Sequence, residues 1–326
     1  MRIAILHNAI LPEPSQDELD VLVQVEVVTT ALKNLGHKPV SVPLSLNLEK
    51  AIKQLIRISP NFVFNLVESI GGNVRFLYFA PAILDQLGLP YSGAGTHALY
   101  LTTNKLLAKE RLKWGGIPTP SWNTAKEVSE KGISFEPPYI VKPVCEDASV
   151  GVEETALIAD KTFLLEAFQE RMALLGECFV EAFVHGREFN LSVLGGKNGP
   201  VVLPPAEILF VDYPPEKPRI VDYRAKWQTD SFEYQHTVRN FKFPAEDAAL
   251  IHELTETALR CWQLFDLRGY ARVDFRVDEQ NQIWVLEINA NPCISPGSGF
   301  VAAAEQAGLT FDEVIQRIIE DTISKD

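Results

Sequence analysis

Ala271-Arg272-Val273-Asp274-Phe275-Arg276 and Trp284-Val285-Leu286-Glu287-Ile288-Asn289 decide how this chain is read. Apolar and polar residues alternate in both, and Asp278-Glu279-Gln280-Asn281 has the composition of a turn. The spacing predicts strands over Tyr270–Val277 and Ile283–Asn289, joined as a hairpin. Strand side chains alternate faces, so Arg272, Asp274 and Arg276 share one face, and Glu287 and Asn289 share one face of the partner. If the faces coincide, two carboxylates and an amide oxygen converge. Such oxygen donors suit Mg²⁺, which is often held by one or two carboxylates plus substrate phosphates. A solvent-facing strand with ordinary charges fits the same spacing, and Glu-Ile-Asn alone does not choose.

Working back from the hairpin, a lobe over residues 186–326 opens near Gly186, with strands at Glu188–Leu194 and Val201–Leu209. A polar, Pro-rich stretch from Asp212 to Gln235 follows, then a long helix from about Ala245 to Leu264; a helical tail closes the chain. Before it, residues 99–185 begin with a helix carrying Asn104, Lys105, Lys109, Arg111 and Lys113, stopped by Gly115-Gly116. Strands at Tyr139–Val144 and Gly151–Ile158 flank a polar turn, and Cys178–Val184 follows an intervening helix. Lys142 emerges at the end of an apolar strand, and Glu146-Asp147-Ala148-Ser149-Val150-Gly151 is either a phosphate-covering loop or an ordinary turn. Phe179 to Glu188 combines an apolar strand, a break and the acids Glu181 and Glu188; its plain reading is a linker with a solvated Glu188.

Residues 1–98 alternate strand and helix. Arg2 to Leu6 is a strand, and Ser15-Gln16-Asp17-Glu18 has capping-box spacing. Val21, Val25, Val28, Leu32 and Leu35 then mark one helix face, ended by Gly36. Pro39–Leu44 and Phe62–Val67 read as strands around a helix over Leu48–Ile58; a further helix to about Leu87 and a short strand near Tyr91 complete a small doubly wound sheet.

With 326 residues, the chain has room for two or three lobes at ~100–200 residues per domain. Hydrophobic residues at 46% and charged residues at 22% exclude disordered and fibrous classes. A formal net charge of −13 disfavours nucleic acid and anionic lipid as partners. No apolar run reaches the ~18 residues of a membrane span, and the opening run is too short for a signal-peptide core, so a cytoplasmic protein is expected. Cys145, Cys178, Cys261 and Cys293 form no C-x-x-C pair and suggest neither zinc nor disulfides.

Several motifs occur in a fixed order: Val141-Lys142-Pro143, Ser149-Val150-Gly151, Val180-Glu181-Ala182-Phe183 with Gly186-Arg187-Glu188, Ala271 to Phe275, and Leu286-Glu287-Ile288-Asn289 with Asn291-Pro292. In that order they resemble the ATP-grasp superfamily and, within it, the D-alanine–D-alanine ligase branch. Leu89-Pro90-Tyr91-Ser92-Gly93, Asn104-Lys105, Gly116 to Pro120, Asp222 to Lys226 and Ala307 to Phe311 agree, so the resemblance runs from about Phe62 onward. It implies an α/β, ATP-grasp fold: an N-terminal doubly wound parallel sheet lobe followed by two α+β lobes enclosing ATP.

The resemblance also implies roles. Lys105 and Lys142 would hold ATP phosphates, and Lys226 would reach them from a mobile loop over Asp212–Gln235. Glu181 would lie near the adenine amino group, with Phe183 and Val184 along the hinge, Leu286 beneath the ring and Glu188 on the ribose. Asp274, Glu287 and Asn289 would ligate two Mg²⁺ ions, with Mn²⁺ an alternative. Arg272 would stabilise the transferred phosphoryl group and the later oxyanion, and Ser149 is carried over with Arg272 and Lys226 into the catalytic group. The implied reaction converts a carboxylate to an acyl phosphate with ATP and then to an amide by amine attack. A ligase for a different amino acid, dipeptide or other carboxylate is the alternative enzyme, and a nucleotide-binding regulator without catalysis is the non-enzyme one.

The chain departs from the branch where the first substrate's amino end would lie and, at Cys293, where the second substrate would approach the backbone. Ala148 and Ser149 stand in place of two serines, Trp227 in place of a tyrosine and Cys293 in place of a glycine. The branch's N-terminal Gly-Gly-x-S-x-E signature is absent; Glu18 serves equally as its substitute or as a capping residue. Glu68, together with Asn65 and Arg75, is a further substrate candidate, and Ser298 is a candidate for a substrate carboxylate. Substrates are expected to be small amino acids or peptides, with D-alanyl-D-alanine not the best product. The apolar helix faces of the first lobe suit a homodimer.

Overall fold

The computed structural model describes residues 1–146, 149 and 151–323; Ala148 and Val150 lie outside the described residues. The first sheet is parallel, in the order β2-β1-β3, from β1 (Arg2–Asn8), β2 (Lys38–Leu44) and β3 (Phe62–Leu66). α1 (Gln16–Asn34) and α2 (Leu48–Ile58) are its crossovers. After α3 (Phe79–Leu87), Tyr91 adds a single parallel bridge to Val63 rather than a full fourth strand. Val21, Val28 and Leu32 are buried on α1, and so is the polar Gln24 on the same face.

α4 (Thr96–Thr103) gives way to α5 (Lys105–Trp114) at Asn104, whose side chain accepts from the Leu106 and Leu107 N–H groups. A four-stranded sheet follows in the order β4-β7-β5-β6: β4 (Trp122–Thr124), β5 (Tyr139–Pro143), β6 (Leu157–Ile158) and β7 (Cys178–Ala182). Its helices are α6 (Ala125–Lys131) and α7 (Leu164–Leu175). The strand expected over Gly151–Ile158 shrinks to β6, because Arg171 of α7 takes the Gly151 carbonyl and the Thr155 hydroxyl, and residues 154–156 coil as a 3₁₀ turn.

The last sheet is antiparallel: β8 (Arg187–Leu194), β9 (Val201–Val202), β10 (Ala206–Phe210), β11 (Thr237–Asn240), β12 (Tyr270–Val277) and β13 (Ile283–Asn289). Its order is β11-β10-β8-β12-β13, with β9 also on β8. The single strand expected over Val201–Leu209 is split, since Pro204-Pro205 offers no N–H to a ladder. The stretch expected as irregular between Asp212 and Gln235 contains the helices α8 (Tyr223–Trp227) and α9 (Phe232–His236). α10 (Ala248–Leu264) backs the sheet, and α11 (Gly299–Gln306) and α12 (Phe311–Ile323) close the chain.

The cores show what moves with what. One runs from Leu6, Val42 and Val63 of the first sheet and Leu55 of its crossover helix to Phe275 and Val285 of the last sheet and Leu254 and Trp262 of the helix that backs it. A second packs Ile5, Val28 and Leu32 against Phe300, Ile315 and Ile318. The middle sheet instead has its own core, including Tyr139, Val141, Phe168 and Val180. Two glycines set the joints. Gly269, at φ +71°, lets the backbone lie where a Cβ would come within 2.7 Å of Gly93 N, tying the first and last sheets. At Gly186, with φ +131°, a Cβ would sit 2.0 Å from the Val277 carbonyl oxygen, so only glycine turns the chain from the middle sheet into β8.

Candidate active site

β12 and β13 pair Arg272 with Asn289 and Asp274 with Glu287, so these four side chains share one face. The register then shifts between Asp274 and Phe275, which faces Val285. The bulge leaves Leu286 as the additional residue. Ile283, Val285 and Ile288 are buried on the core side, whereas Leu286, Glu287 and Asn289 are all half-buried. Strict alternation would have sent Leu286 and Glu287 to opposite faces; the bulge lets neighbours share one.

Charge on this face is closely balanced. Arg272 grips Asp274 through Nε and Nη2, both at 2.7 Å, and Asn190 donates to Asp274 Oδ1 at 2.8 Å. Burial opposes ionisation of Arg272, but Asp274 and Glu287 hold its pKa above the ordinary value. Burial would also raise the Glu287 carboxyl, yet Lys105, Lys226, Arg272 and Lys142 bring it down to about 2. Lys105 Nζ lies 3.6 Å from Glu287 and also donates to the Glu146 carbonyl. Burial and then Arg272 lower the Lys226 ammonium, against Glu287, Asp274 and Glu188.

Two further acids lie where the middle and last sheets meet. Glu181 on β7 stands between Lys142 and Lys109, each 2.6 Å away. Glu188 on β8 is paired with Arg276 at 2.7 Å, and burial still pushes its carboxyl above the usual range. Arg276 also lies over the Phe183 ring at 5.2 Å and donates to the carbonyls of Gly186 and Arg219. Phe183 and Val184 are half-buried between these two acids along the chain.

The segment from Asp212 to Gln235 is docked on the middle unit and, through the Arg219 carbonyl that Arg276 takes, on the last sheet. Ser149, at φ +63°, donates its hydroxyl to the Val221 carbonyl at 2.8 Å. Lys217 and Arg224 both pair with Glu154 of the middle unit and with Glu233. Trp227 ends α8, its ring tilted on Tyr223 at 6.4 Å.

The candidates near the first sheet are arranged differently from the expectation. Glu18 accepts from the Ser15 N–H at 3.0 Å and closes the capping box of α1. Asp20, which the sequence reading passed over, is instead the α1 acid directed at Cys293 and Ser295, at 3.1 and 2.7 Å. Gln24, one turn on, reaches Asp20 at 3.2 Å and Glu68 at 2.8 Å. An acid and an amide at i and i+4, with Gln24 inside an apolar helix stripe, were the available signal. Burial, Glu68 and Asp20 raise the Cys293 thiol far above its ordinary value. Ser298 caps α11, its hydroxyl accepting from Val301 N at 3.4 Å. Arg75 pairs with Glu177 at the surface and the Asn65 amide accepts from Val67 N, so neither joins the other candidates.

Among the described residues, no group of three or more His, Cys, Asp or Glu side chains could hold a metal by itself. Asp274, Glu287 and Asn289 form the smaller oxygen set that fits Mg²⁺ sharing its coordination with phosphates and water. No helix among the described residues is long and apolar enough to cross a membrane.

A family model described as "D-ala D-ala ligase C-terminus" matches residues 112–320. The D-alanine–D-alanine ligase of Synechococcus sp. (strain JA-3-3Ab) is 30% identical, covering 93% of this chain and 90% of that protein. That of Gloeobacter violaceus is 29% identical over 99% of this chain and 100% of its own length. The crystal structure of D-alanine–D-alanine ligase from Bacillus anthracis complexed with ATP aligns with a TM-score of 0.74 at 22% identity, covering 100% of this chain and 99% of that one. D-alanyl-alanine synthetase A from Vibrio cholerae gives 0.77 at 17%, covering 99% and 98%. The fold is thus the ATP-grasp architecture of these structures.

Because Glu188 is buried with one guanidinium, Arg276→Leu is expected to cost about 3–5 kcal/mol in chemical denaturation by stranding that acid. Arg276→Leu combined with Glu188→Gln should recover most of the loss. A single variant as stable as wild type would show that the pair does not hold this junction.

Proposed function

The chain belongs to the D-alanine–D-alanine ligase family and is an ATP-dependent, ADP-forming ligase that makes an amide bond; from that premise we propose which residues perform the reaction and on what. The observation that carries the assignment is the convergence of Arg272, Asp274, Glu287 and Asn289 on one sheet face, with Lys105 and Lys226 beside it.

In this reading the adenine lies at the junction of the middle and last sheets, with Glu181 at its amino group, Phe183 and Val184 along its edge and Leu286 beneath it. Glu188 binds the ribose after giving up part of its contact with Arg276. Lys105 and Lys226 hold the phosphates, and Lys142 joins them on leaving Glu181, from which it lies 2.6 Å. Asp274, Glu287 and Asn289 would hold two Mg²⁺ ions, which neutralise phosphate charge when bound. Arg272 steadies the phosphoryl group passing to the substrate carboxylate, and then the oxyanion formed as the amine attacks the acyl phosphate. Phosphate leaves and the amide remains.

Water would destroy the acyl phosphate, so the site must close. The segment over Asp212–Gln235 is its lid, latched by Ser149 on Val221 and by Lys217 and Arg224 on Glu154. We read three units, 1–98, 99–185 and 186–326, one around each sheet; the part that moves is the middle sheet with its own core, while Leu99, Ala108, Leu112 and Ile117 stay in the core shared by the first and last sheets. Exposed Leu19, Leu22 and Val23 on α1 offer a homodimer face, and the need for ATP favours the cytoplasm.

The substrates are small amino acids. The relatives' names make D-alanine the first pair to test. Asp20, Cys293 and Ser295 nevertheless close one wall through their own bonds, favouring a second reading in which another amino acid or a peptide is preferred at one position.

Glu287→Gln or Asp274→Asn should each lower Mg²⁺-dependent turnover by about 10²–10³-fold in protein that circular dichroism shows to be folded. Full activity in either would remove the metal assignment. An ADP-release screen with Mg²⁺ over D- and L-amino acids, singly and in pairs, tests the substrate reading. D-alanine should be exceeded by another pair; D-alanine outpacing every pair would refute the altered wall. ATP binding without any substrate-dependent release would favour a regulator.

A further inference from the structure

Lys109 is the most completely buried cation among the described residues, at 1% exposure, and the phosphate chemistry above does not use it. It lies one helical turn after Lys105 on α5, but its side chain runs to Glu181 on β7, whereas that of Lys105 runs to Glu287 on β13. There its Nζ is 2.6 Å from Glu181 Oε2, 2.8 Å from the Thr119 hydroxyl and 3.0 Å from the Pro120 carbonyl. The Trp122 ring covers it at 5.3 Å. Glu181 is equally buried, at 1% exposure, and its other oxygen takes Lys142 at 2.6 Å.

The direction of the protons matters. Lys109 donates to the Thr119 hydroxyl and the Pro120 carbonyl and sets its charge 2.6 Å from Glu181 Oε2, an oxygen whose second lone pair lies beyond that contact. A buried carboxylate oxygen is thereby kept ionised with a lone pair still to be satisfied. Burial would raise the Glu181 carboxyl; Lys109 is the stronger cation holding it down, ahead of Lys142. Lys109 itself is drawn down by burial to about 8, with Glu181 acting against that.

We propose that Lys109 is a positioning residue for purine selection: it fixes Glu181 as an ionised acceptor for a 6-amino group, and so sets the preference for ATP over 6-oxo purine triphosphates. The proposal rests on the assignment of Glu181 to the adenine amino group. A carboxylate accepts from an amino group and repels a 6-oxo oxygen. A protonated carboxyl can donate to that oxygen and loses the distinction. Without Lys109, Glu181 either takes up a proton or draws Lys142 fully onto itself, and both outcomes weaken the acceptor.

Calorimetric titration of ATP and of inosine triphosphate, with Mg²⁺ and no amino acid, reads the effect as a ratio of dissociation constants. Lys109→Met should reduce the preference for ATP by at least about tenfold, as expected for losing a hydrogen bond to a charged group. Lys109→Arg should restore part of it. In a Glu181→Gln background, Lys109→Met should change the ratio no further, because Lys109 acts through that carboxylate. Folded Lys109→Met with the wild-type ratio, while Glu181→Gln lowers it, would overturn the proposal alone. An unchanged ratio in Glu181→Gln would instead remove the adenine assignment, and the proposal with it. If Lys109→Met does not fold, the double variant carries the test: its neutral pair is easier to bury, and a ratio differing from that of Glu181→Gln overturns the proposal.

Discussion

The pairing of β12 with β13, with its single bulge after Asp274, is the constraint on which the site depends. The register sets Arg272 beside Asn289 and Asp274 beside Glu287, while Val285 and Ile288 anchor the opposite face in the core. A sheet so anchored cannot slip by one residue without burying its charges. The bulge then adds Leu286 to the polar face, placing an apolar contact next to a carboxylate. Concentrating acids this way needs cations nearby, and Lys105, Lys226 and Arg272 surround Glu287 for that reason.

The two acids at the sheet junction show how environment separates like residues. Glu181 and Glu188 are both buried. Two lysines hold the first ionised below its ordinary pKa, while the second has one arginine and a nearby Asp274 and is raised. The first suits a fixed acceptor, and the second suits a group whose partner can exchange for a sugar hydroxyl. Both lie between a middle sheet with its own core and a last sheet that shares its cores with the first. A shift of the middle sheet would therefore leave the packing behind the last sheet undisturbed.

Much of this was legible in the sequence. The hairpin strands appear with the bounds expected from alternation, and α2 covers the expected residues, because period and turn chemistry agree there. The bulge was not legible, since alternation assumes an unbroken ladder. The choice of Asp20 over Glu18 was hidden because capping-box spacing explains Glu18 locally, whereas Asp20 acquires its partners from a loop far along the chain. Lys109 looked like one of several basic residues on a helix; its burial comes from Glu181, Thr119, Pro120 and Trp122, which lie outside that helix. Arg276 was placed on the right strand, but its pairing with Glu188 depends on the order of strands within the sheet, which no local pattern encodes.

The central claim is that this face transfers phosphate to a carboxylate before an amide forms. It is tested most directly by supplying a turned-over amino acid labelled with ¹⁸O in its carboxyl group and analysing the released inorganic phosphate by mass spectrometry. An acyl phosphate intermediate requires one carboxyl oxygen to leave with the phosphate, so label should appear there in proportion to amide formed. Amide formation with unlabelled phosphate would contradict the account.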